Sequence, residues 1–320
     1  MVELRCNSYS YVFLCFFLAL SYAGFLTNLD IDGYVDRINY LSYAKDSILI
    51  LNRNISNGIL TVFANEPLWL LINIFLSQFL SPENTLRVII FFSSFATFFY
   101  VLKNTNSKYF FIILLFLLLP AVLKNNIVHI RQGLGVAFFI LGWFSQGKKK
   151  RYLLYSCAAL IHSSFIIVLL GVIGTNFLLN LNISYGIRNL IFIAACLILG
   201  FFGLYFAQVL GARQGSIYQN EDFGGSGLAF IYWSVILGLF LLQDESYIRK
   251  NVLPIFFIIM YVCTYFILPV AARIFESVIL IVLLRALDFK AIYRYLFIAC
   301  YILYFLQLWL SRYNQGGFGV

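Results

Sequence analysis

The sequence predicts an all-α protein that crosses a membrane many times, and three observations support that prediction. Of its 320 residues, 62% are hydrophobic and only 11% are Asp, Glu, Lys or Arg, whereas soluble domains have about 25% charged residues. Long apolar runs recur along the whole chain, with short polar breaks between them. A run of about 20 apolar residues can cross a hydrocarbon core of about 30 Å as a helix, and a helix satisfies its own backbone hydrogen bonds in lipid.

Hydropathy divides the chain into roughly ten or eleven predicted spans. The first apolar run starts at Tyr11, lacks a small-residue cleavage site and is followed by further spans, so it fits a first span better than a signal peptide. We treat 1–320 as a single transmembrane domain. The predicted spans are 11–29, 67–80, 86–102, 109–123, 127–146, 152–174, 190–210, 228–243, 252–269, 275–289 and 295–311.

Two polar stretches lie between these spans, 30–66 and 211–227, and we expect both to be outer loops. Loops rich in Lys and Arg stay on the cytoplasmic side of the membrane. That rule applies to 249–250 and to 285–294, and it therefore places 211–227 outside. If the N-terminus is on the cytoplasmic side, 30–66 follows the first span and also lies on the outer side.

The basic run 148–151 conflicts with this simple topology. It should be cytoplasmic as well, but counting the spans one by one puts it outside. Segment 67–80 is short for a span, and 152–174 carries a His-Ser-Ser triplet at its middle. Because broken or re-entrant helices occur at short or interrupted hydrophobic segments, we expect re-entrant segments around Glu66 and His162.

The formal charge of +9 does not indicate nucleic-acid binding. Lys and Arg are scattered among connecting loops, with one run of four, and basic loops are what orients a membrane protein. Five of the six cysteines lie inside apolar runs, where they fit small buried hydrophobic residues. With two histidines in the chain, a His-based metal site is not expected. We expect no metal, no cofactor and no nucleic-acid partner.

Ionisable residues at membrane depth are costly, by about 2.5–3.5 kcal/mol on insertion scales, and a few such residues head or interrupt the predicted spans. Arg131 heads span 127–146, where its planar guanidinium can bind two phosphate oxygens or reach the lipid headgroups. Glu66 begins segment 67–80. Its carboxylate either caps that helix or acts as a general base or a sugar-binding acceptor.

Two further candidates lie later in the chain. A helix would raise His162 about 16 Å above Arg151, close to mid-membrane. An imidazole there could exchange a proton near neutral pH, or it could stay neutral and bonded to a neighbouring helix. Arg273 follows Pro269 and precedes Glu276 by three residues. That spacing allows a structural ion pair, or it leaves the arginine for an anionic ligand.

The expected outer loops supply candidate binding residues for a diphosphate or a sugar. Arg213, in the second loop, is either a solvated charge or a phosphate ligand. Asp32, Arg37 and Arg53 offer rival charges in the first loop. The sequence contains no phosphate-binding loop, nucleophile elbow or His-Glu-x-x-His motif.

Several short motifs follow one another along the chain. Residues 65–69 read Asn-Glu-Pro-Leu-Trp and open an early span, and residues 130–134 read Ile-Arg-Gln-Gly-Leu before a span that ends in lysines. Residues 160–164, Leu-Ile-His-Ser-Ser, follow about thirty residues after the arginine, and Arg273 heads a late span. In this order the motifs resemble those of the EpsG-like branch of the Wzy-type polysaccharide (O-antigen) polymerases, and the resemblance covers most of the chain.

The resemblance implies a glycosyltransferase with a GT-C-like fold that uses no nucleotide sugar. Such an enzyme moves a glycan chain, linked through diphosphate to undecaprenol, onto a new lipid-linked repeat unit. It acts at the outer side of the bacterial cytoplasmic (inner) membrane. The implied partners are the undecaprenyl-diphosphate-linked donor and acceptor, membrane lipid and, in some systems, a chain-length regulator protein. Arg131, Arg213 and Arg273 would stabilise the leaving diphosphate, and His162 or Glu66 would accept the proton of the attacking hydroxyl.

Other classes of membrane protein in surface-glycan assembly stay open as alternatives. A lipid-linked oligosaccharide flippase is usually longer and shows repeat symmetry, which is not visible here. An O-acyltransferase would have a histidine and an Arg-Asp cluster near the first span, and the region before Tyr11 has neither His nor Asp. A ligase of lipid-linked glycans is a third alternative. The polymerase interpretation departs from the family pattern at Gly133 and Gly135, where alanines are expected.

Overall fold

The computed structural model describes residues 8–29, 34–181, 183–211 and 227–312. Within those ranges every regular element is helical, which confirms the all-α prediction. The chain divides into two compact units. The first contains the residues up to Ile166 and those from Leu308 onward, and the second is Ile167–Gln307.

The helices of the first unit precede the break at His162 and Ser163. They are α1 Tyr9–Thr27, α2 Val35–Ser56, α3 Ile59–Ala64, α4 Pro67–Leu76, α5 Pro82–Lys103, a 3-10 turn Ser107–Tyr109, α6 Phe110–Leu117, α7 Pro120–Ile127, α8 Ile130–Trp143 and α9 Lys148–Ile161. Helix α10, Ser164–Asn180, leads into the second unit. There it is followed by α11 Tyr185–Val209, α12 Leu228–Leu241, α13 Glu245–Lys250, α14 Val252–Thr264, α15 Ala271–Glu276, α16 Ile279–Ala286 and α17 Ala291–Leu310.

Local sequence explains where several of these helices begin. The hydroxyl of Ser81 accepts a hydrogen bond from the backbone N–H of Asn84 at 3.3 Å, and Ser184 caps α11 in the same way. Such caps satisfy backbone donors that the first helical turn leaves without partners. Pro67 and Pro120 occupy first helical positions, where a missing N–H has no consequence.

Among the described residues, fewer helices are long enough for a full span than the predicted ten or eleven. Helices α1, α5, α11 and α17 are long and apolar enough to cross a membrane, and a fifth span is obtained if the pair Ser107–Leu117 and Pro120–Ile127, bent by 64°, counts as one. There are also five shorter apolar helices of 10–17 residues; four lie within predicted spans, and Ser164–Asn180 extends beyond the predicted span 152–174. The difference arises because hydropathy reports composition, whereas backbone breaks such as the one before Pro120 end helices inside apolar runs.

Most of the stretch 30–66, which we expected to be an outer loop, is helical. It forms α2 and α3, and α2 packs against α4 and α5. The buried residues of α2 recur at intervals of three, four or seven, as on one face of a helix. They are Arg37, Tyr40, Ala44, Ser47 and Asn54. Several of them are polar, which is why this face does not stand out as a hydrophobic stripe in the sequence.

The core of the first unit joins α1, α2, α4, α5, α7, α8 and α9. Trp69 is fully buried, and Tyr40 and Tyr43 pack edge-on against its ring at centroid distances of 5.6 and 6.3 Å. Aromatic pairs in this geometry contribute about 0.5–1.5 kcal/mol beyond burial. The same packing fixes the start of α4 next to α2.

Candidate functional site

Three of the residues singled out in the sequence meet in the first unit. Glu66 directly precedes α4, Arg131 lies in the first turn of α8, and His162 follows the last residue of α9. Nη1 of Arg131 donates a hydrogen bond to Oε2 of Glu66. Nε2 of His162 lies 4.0 Å from Oε1 of the same carboxylate. All three side chains are largely buried, with exposures of 6% for Glu66 and 12% for the other two.

Glu66 has an unusual backbone conformation. Its φ and ψ are 60° and 57°, and among the described non-glycine residues it alone has a positive φ. A non-glycine residue in this left-handed region costs about 1–2 kcal/mol, and such strain often accompanies functional sites. The side chain makes no capping hydrogen bond to α4. The alternative role of Glu66 as a helix cap therefore has no support in this geometry.

The carboxylate of Glu66 is held on both oxygens. Arg131 binds Oε2, and the backbone N–H of Ser163 donates to Oε1 at 3.2 Å. Hydrogen bonds to both oxygens satisfy the acceptors of this buried carboxylate. The contact with Ser163 also ties the start of α4 to the break between α9 and α10.

That break is a local feature of the backbone around His162. Helix α9 ends at Ile161, His162 is extended with φ −147° and ψ 128°, and α10 begins at Ser164. The predicted interruption of 152–174 is thus confirmed, while its re-entrant geometry stays a prediction. Nδ1 of His162 lies 2.7 Å from the hydroxyl of Ser164 and accepts from the Ser164 backbone N–H at 3.3 Å. Because Nδ1 accepts, the neutral ring carries its proton on Nε2, which faces Glu66.

Two tyrosines of α2, which we did not single out in the sequence, complete the surroundings of Arg131. The guanidinium carbon lies 5.6 Å from the ring centre of Tyr40 and 5.0 Å from that of Tyr43. The Tyr43 hydroxyl is also 3.5 Å from Nη1. A cation above an aromatic face gains about 0.5–2 kcal/mol. The two tyrosines are three positions apart, which places both on one face of a helix, and this spacing was a signal in the sequence.

A second contact between ionisable side chains lies beside this cluster and was also missed. Nε2 of His129, the residue before α8, is 3.8 Å from Oδ2 of Asp36 in the first turn of α2. His129 is buried, whereas 41% of the Asp36 side chain is exposed. The available signal was the position of His129, two residues before Arg131 in the sequence.

The glycines that depart from the family pattern are explained by packing. A Cβ on Gly133 would lie 2.0 Å from the backbone oxygen of Asn125 in α7. A Cβ on Gly135 would lie 2.5 Å from the ring of Phe165, directly after the His-Ser-Ser triplet. Real Cβ atoms do not approach this closely. Both glycines therefore let α8 pack closely against the segments that carry the site.

Arg37 and Arg53, predicted to bind a diphosphate or a sugar, lie apart from this contact network. Arg37 is fully buried, and its guanidinium donates to the carbonyl oxygens of Ile127 at 2.8 Å and Leu29 at 2.9 Å. Those bonds tie α1, α2 and α7 together, so the described geometry gives Arg37 a structural task. Arg53 is exposed in the last turn of α2, and its binding role stays a prediction.

The remaining candidates are not brought to the cluster by the described structure. Arg273 is exposed on α15 in the second unit, on the same short helix as Glu276. Asp32 and Arg213 lie outside the described residues, as does most of the loop 211–227. In the described part of the chain no three His, Cys, Asp or Glu side chains group as metal ligands would.

Comparison with known proteins places the similarity of this chain at the level of a family. Neither a curated protein nor a solved structure matches the chain. The sequence model of the EpsG family matches residues 8–318, a range that includes Glu66, Arg131 and His162. This family is related to the Wzy-type polymerases, and the match indicates a membrane protein of polysaccharide assembly. With nearly its whole length covered, the chain belongs to the EpsG family.

Proposed function

We propose that this protein is a polysaccharide polymerase of the bacterial cytoplasmic membrane. It transfers a glycan chain from undecaprenyl diphosphate onto a new lipid-linked repeat unit at the outer side of the membrane, within a GT-C-like architecture. The observation that supports this proposal best is the contact of Glu66 with both Arg131 and the segment that carries His162. Three motif residues of an EpsG-family chain form one largely buried polar cluster.

The reaction exchanges one bond at the anomeric carbon of the donor chain for another. The bond from this carbon to the diphosphate oxygen breaks, and the diphosphate leaves with the electron pair. A hydroxyl oxygen of the acceptor sugar forms the new glycosidic bond and loses its proton to a base. The site must therefore stabilise a developing anion and accept one proton.

Arg131 fits the first requirement. Its Nη1 is engaged by Glu66, while its Nε is buried without a hydrogen-bond partner among the described residues. A buried donor of this kind costs about 1–3 kcal/mol when it is left unbonded. A diphosphate oxygen that accepts a hydrogen bond from this Nε–H group would remove that penalty. The attraction would be strongest as the leaving group gains charge, which is when it accelerates the reaction.

Glu66 and His162 fit the second requirement together. A hydroxyl oxygen can lie about 2.8 Å from both Oε1 of Glu66 and Nε2 of His162, since these atoms are 4.0 Å apart. It would then accept from the Nε2–H of His162 and donate to Glu66. In this arrangement Glu66 receives the proton, and His162 orients the nucleophile. The proton moves as the donor bond breaks, when the attacking hydroxyl becomes acidic.

The test is complementation of a strain that lacks the gene, with surface polysaccharide resolved by length. We expect the deletion to leave single repeat units on the acceptor, and the wild-type gene to restore the ladder of long chains. Glu66→Gln, Arg131→Gln and His162→Ala should not restore it at equal protein levels in the membrane. The matched control is Arg87→Gln, on the exposed face of α5, which should behave as wild type.

Other outcomes would overturn the proposal. If all three site variants gave wild-type ladders, the catalytic roles assigned to these residues would be wrong. A deletion that leaves no surface repeat units at all would indicate a flippase. Chains of full length with altered modification would indicate an acyltransferase. These patterns differ in the same gel, so one experiment separates the classes.

A further inference from the structure

The second unit contains a cavity where α10 connects to α11. Its volume is about 70 Å³, and its walls include Leu179, Leu181 and Ile183. A water molecule needs about 10–15 Å³ on this measure. The cavity therefore has room for several waters or for one tetrahedral oxyanion.

Arg188 is the buried polar residue of this cavity. It lies in the first turn of α11 and is 6% exposed. Its Nε is buried and has no hydrogen-bond partner in the described part of the chain. Burying a guanidinium without an acceptor is costly. The side chain is thus set up to bind an anion that enters the cavity.

Two further charged side chains line the same cavity, Arg249 and Glu245 of α13. Both are exposed. The two arginines and the one carboxylate together leave one net positive charge. The N-terminus of α11 adds partial positive charge near Arg188. The cavity therefore suits a group with one negative charge, and arginine is the side chain best matched to phosphate oxygens.

The position of the cavity points to a source for such a group. Helix α11 is one of the four helices long and apolar enough to cross a membrane, and in a spanning helix the first turn would lie at a membrane surface. Leu181 and Tyr185 beside the cavity are 41% and 52% exposed. An apolar rim around two arginines fits a ligand that combines a phosphate with hydrocarbon.

We propose that this cavity binds a singly charged phosphate diester, supplied by the headgroup of an anionic membrane lipid. Arg188 binds the phosphate inside the cavity, and Arg249 binds it from the rim. Leu179, Leu181 and Ile183 contact the start of the acyl chains. This site is formed within the second unit and does not depend on the polymerase proposal.

The test is lipid binding by the full chain purified in detergent, followed as the rise in Tm with added lipid. Phosphatidylglycerol should raise the Tm, because a ligand that binds only the folded state stabilises it. Phosphatidylcholine, with no net charge, should raise it much less. Arg188→Gln should weaken the response to phosphatidylglycerol about tenfold in lipid concentration, as expected when a hydrogen bond to a charged group is lost.

Three further variants make the result specific. Arg249→Gln should also weaken the response, and because Arg249 is exposed this variant tests the site even if Arg188→Gln fails to fold. Glu245→Gln should strengthen the response, since it removes a negative charge facing the phosphate. Lys250→Gln, on the same short helix but outside the cavity lining, is the matched control and should change nothing.

The lipid proposal is overturned by any of three results. The first is an equal response to phosphatidylglycerol and phosphatidylcholine, and the second is a response that Arg249→Gln leaves intact. The third is full stabilisation by inorganic phosphate alone, lost in Arg249→Gln. That third result would assign the cavity to soluble phosphate instead.

Discussion

Nη1 of Arg131 donates a hydrogen bond to Oε2 of Glu66, although the two residues are separated by 65 positions in the sequence. The pair joins the beginning of α8 to the beginning of α4. The backbone N–H of Ser163 donates to the other carboxylate oxygen, so the break between α9 and α10 contacts the same pair. Three motifs that are far apart in the sequence therefore meet in the structure, with the strained residue Glu66 at their centre.

The first prediction concerns the coupling between Glu66 and Arg131. Glu66→Gln should destabilise the protein by about 3–5 kcal/mol, because it leaves the largely buried Arg131 without its anionic partner. Arg131→Gln should have a similar effect for the converse reason. The double variant should cost clearly less than the sum of the two. Unfolding free energies of the four proteins in detergent, combined in a double-mutant cycle, measure this coupling.

The same four proteins separate stability from catalysis. We expect none of the three variants to make polymer, including the double variant with recovered stability. If the double variant regained both stability and polymer formation, the pair would be structural. Strictly additive losses of stability would contradict the buried ion pair itself.

The second prediction concerns which nitrogen of His162 is used. If Nε2–H orients the acceptor hydroxyl, a glutamine, whose amide nitrogen reaches the position of Nε2, should keep part of the activity. His162→Asn, which reaches only the position of Nδ1, should lose about 10²-fold, as expected when a reacting group is no longer held in position. Initial rates with a lipid-linked repeat unit would compare the two. Equal inactivity of both variants would instead make His162 the base.

The polar residues of the site could be predicted because they contrast with an apolar background. Glu66, Arg131 and His162 stand out in this way, and all three lie together in the structure. Tyr40 and Tyr43 could not be found by the same contrast, since aromatic residues are common throughout this chain. They required the recognition that 35–56 is a helix.

The contacts of Arg37 could not be predicted from the sequence. Its charge in a polar stretch suggested a ligand-binding residue, but its guanidinium is fully buried and bonded to backbone carbonyls. One of these acceptors, the carbonyl oxygen of Ile127, lies 90 positions away in the sequence. No local sequence pattern indicates this contact. The described residues hold fewer long apolar helices than predicted spans for a related reason. Hydropathy does not register a backbone break such as the one before Pro120, which lies inside the apolar run 109–123.

The third prediction concerns close helix packing at Gly133. Gly133→Ala should destabilise the protein by about 1–3 kcal/mol, as overpacking does, because its Cβ would meet the backbone of Asn125 in α7. The matched control is Gly24→Ala in α1, where no atom lies within 4 Å of the added Cβ. That variant should be neutral or more stable by about 0.5–1 kcal/mol. Thermal unfolding of both variants in one detergent tests the contrast.

The fourth prediction concerns the pH dependence of a helix cap in the second unit, outside the spans. Oδ1 of Asp244 accepts from the backbone N–H of Tyr247 at 2.9 Å and from the hydroxyl of Ser246 at 2.8 Å, and Lys290 lies 3.3 Å from Oδ2. These contacts, the backbone bond first, lower the pKa of Asp244 from 3.8 to about 2. A carboxyl whose pKa is lower in the folded state contributes stability above its unfolded pKa and loses it as the pH falls through its folded pKa.

The stability that Asp244 contributes should therefore be complete above about pH 4 and disappear as the pH approaches 2. The measurement is the difference in Tm between wild type and Asp244→Asn across this range. Because Asn keeps a side-chain oxygen for the cap but has no charge, the difference isolates the ionised form. A gap that persists unchanged at pH 2 would mean that the ionised carboxylate is not what stabilises the start of α13. A gap that closes well above pH 4 would mean that the three donors do not lower the pKa.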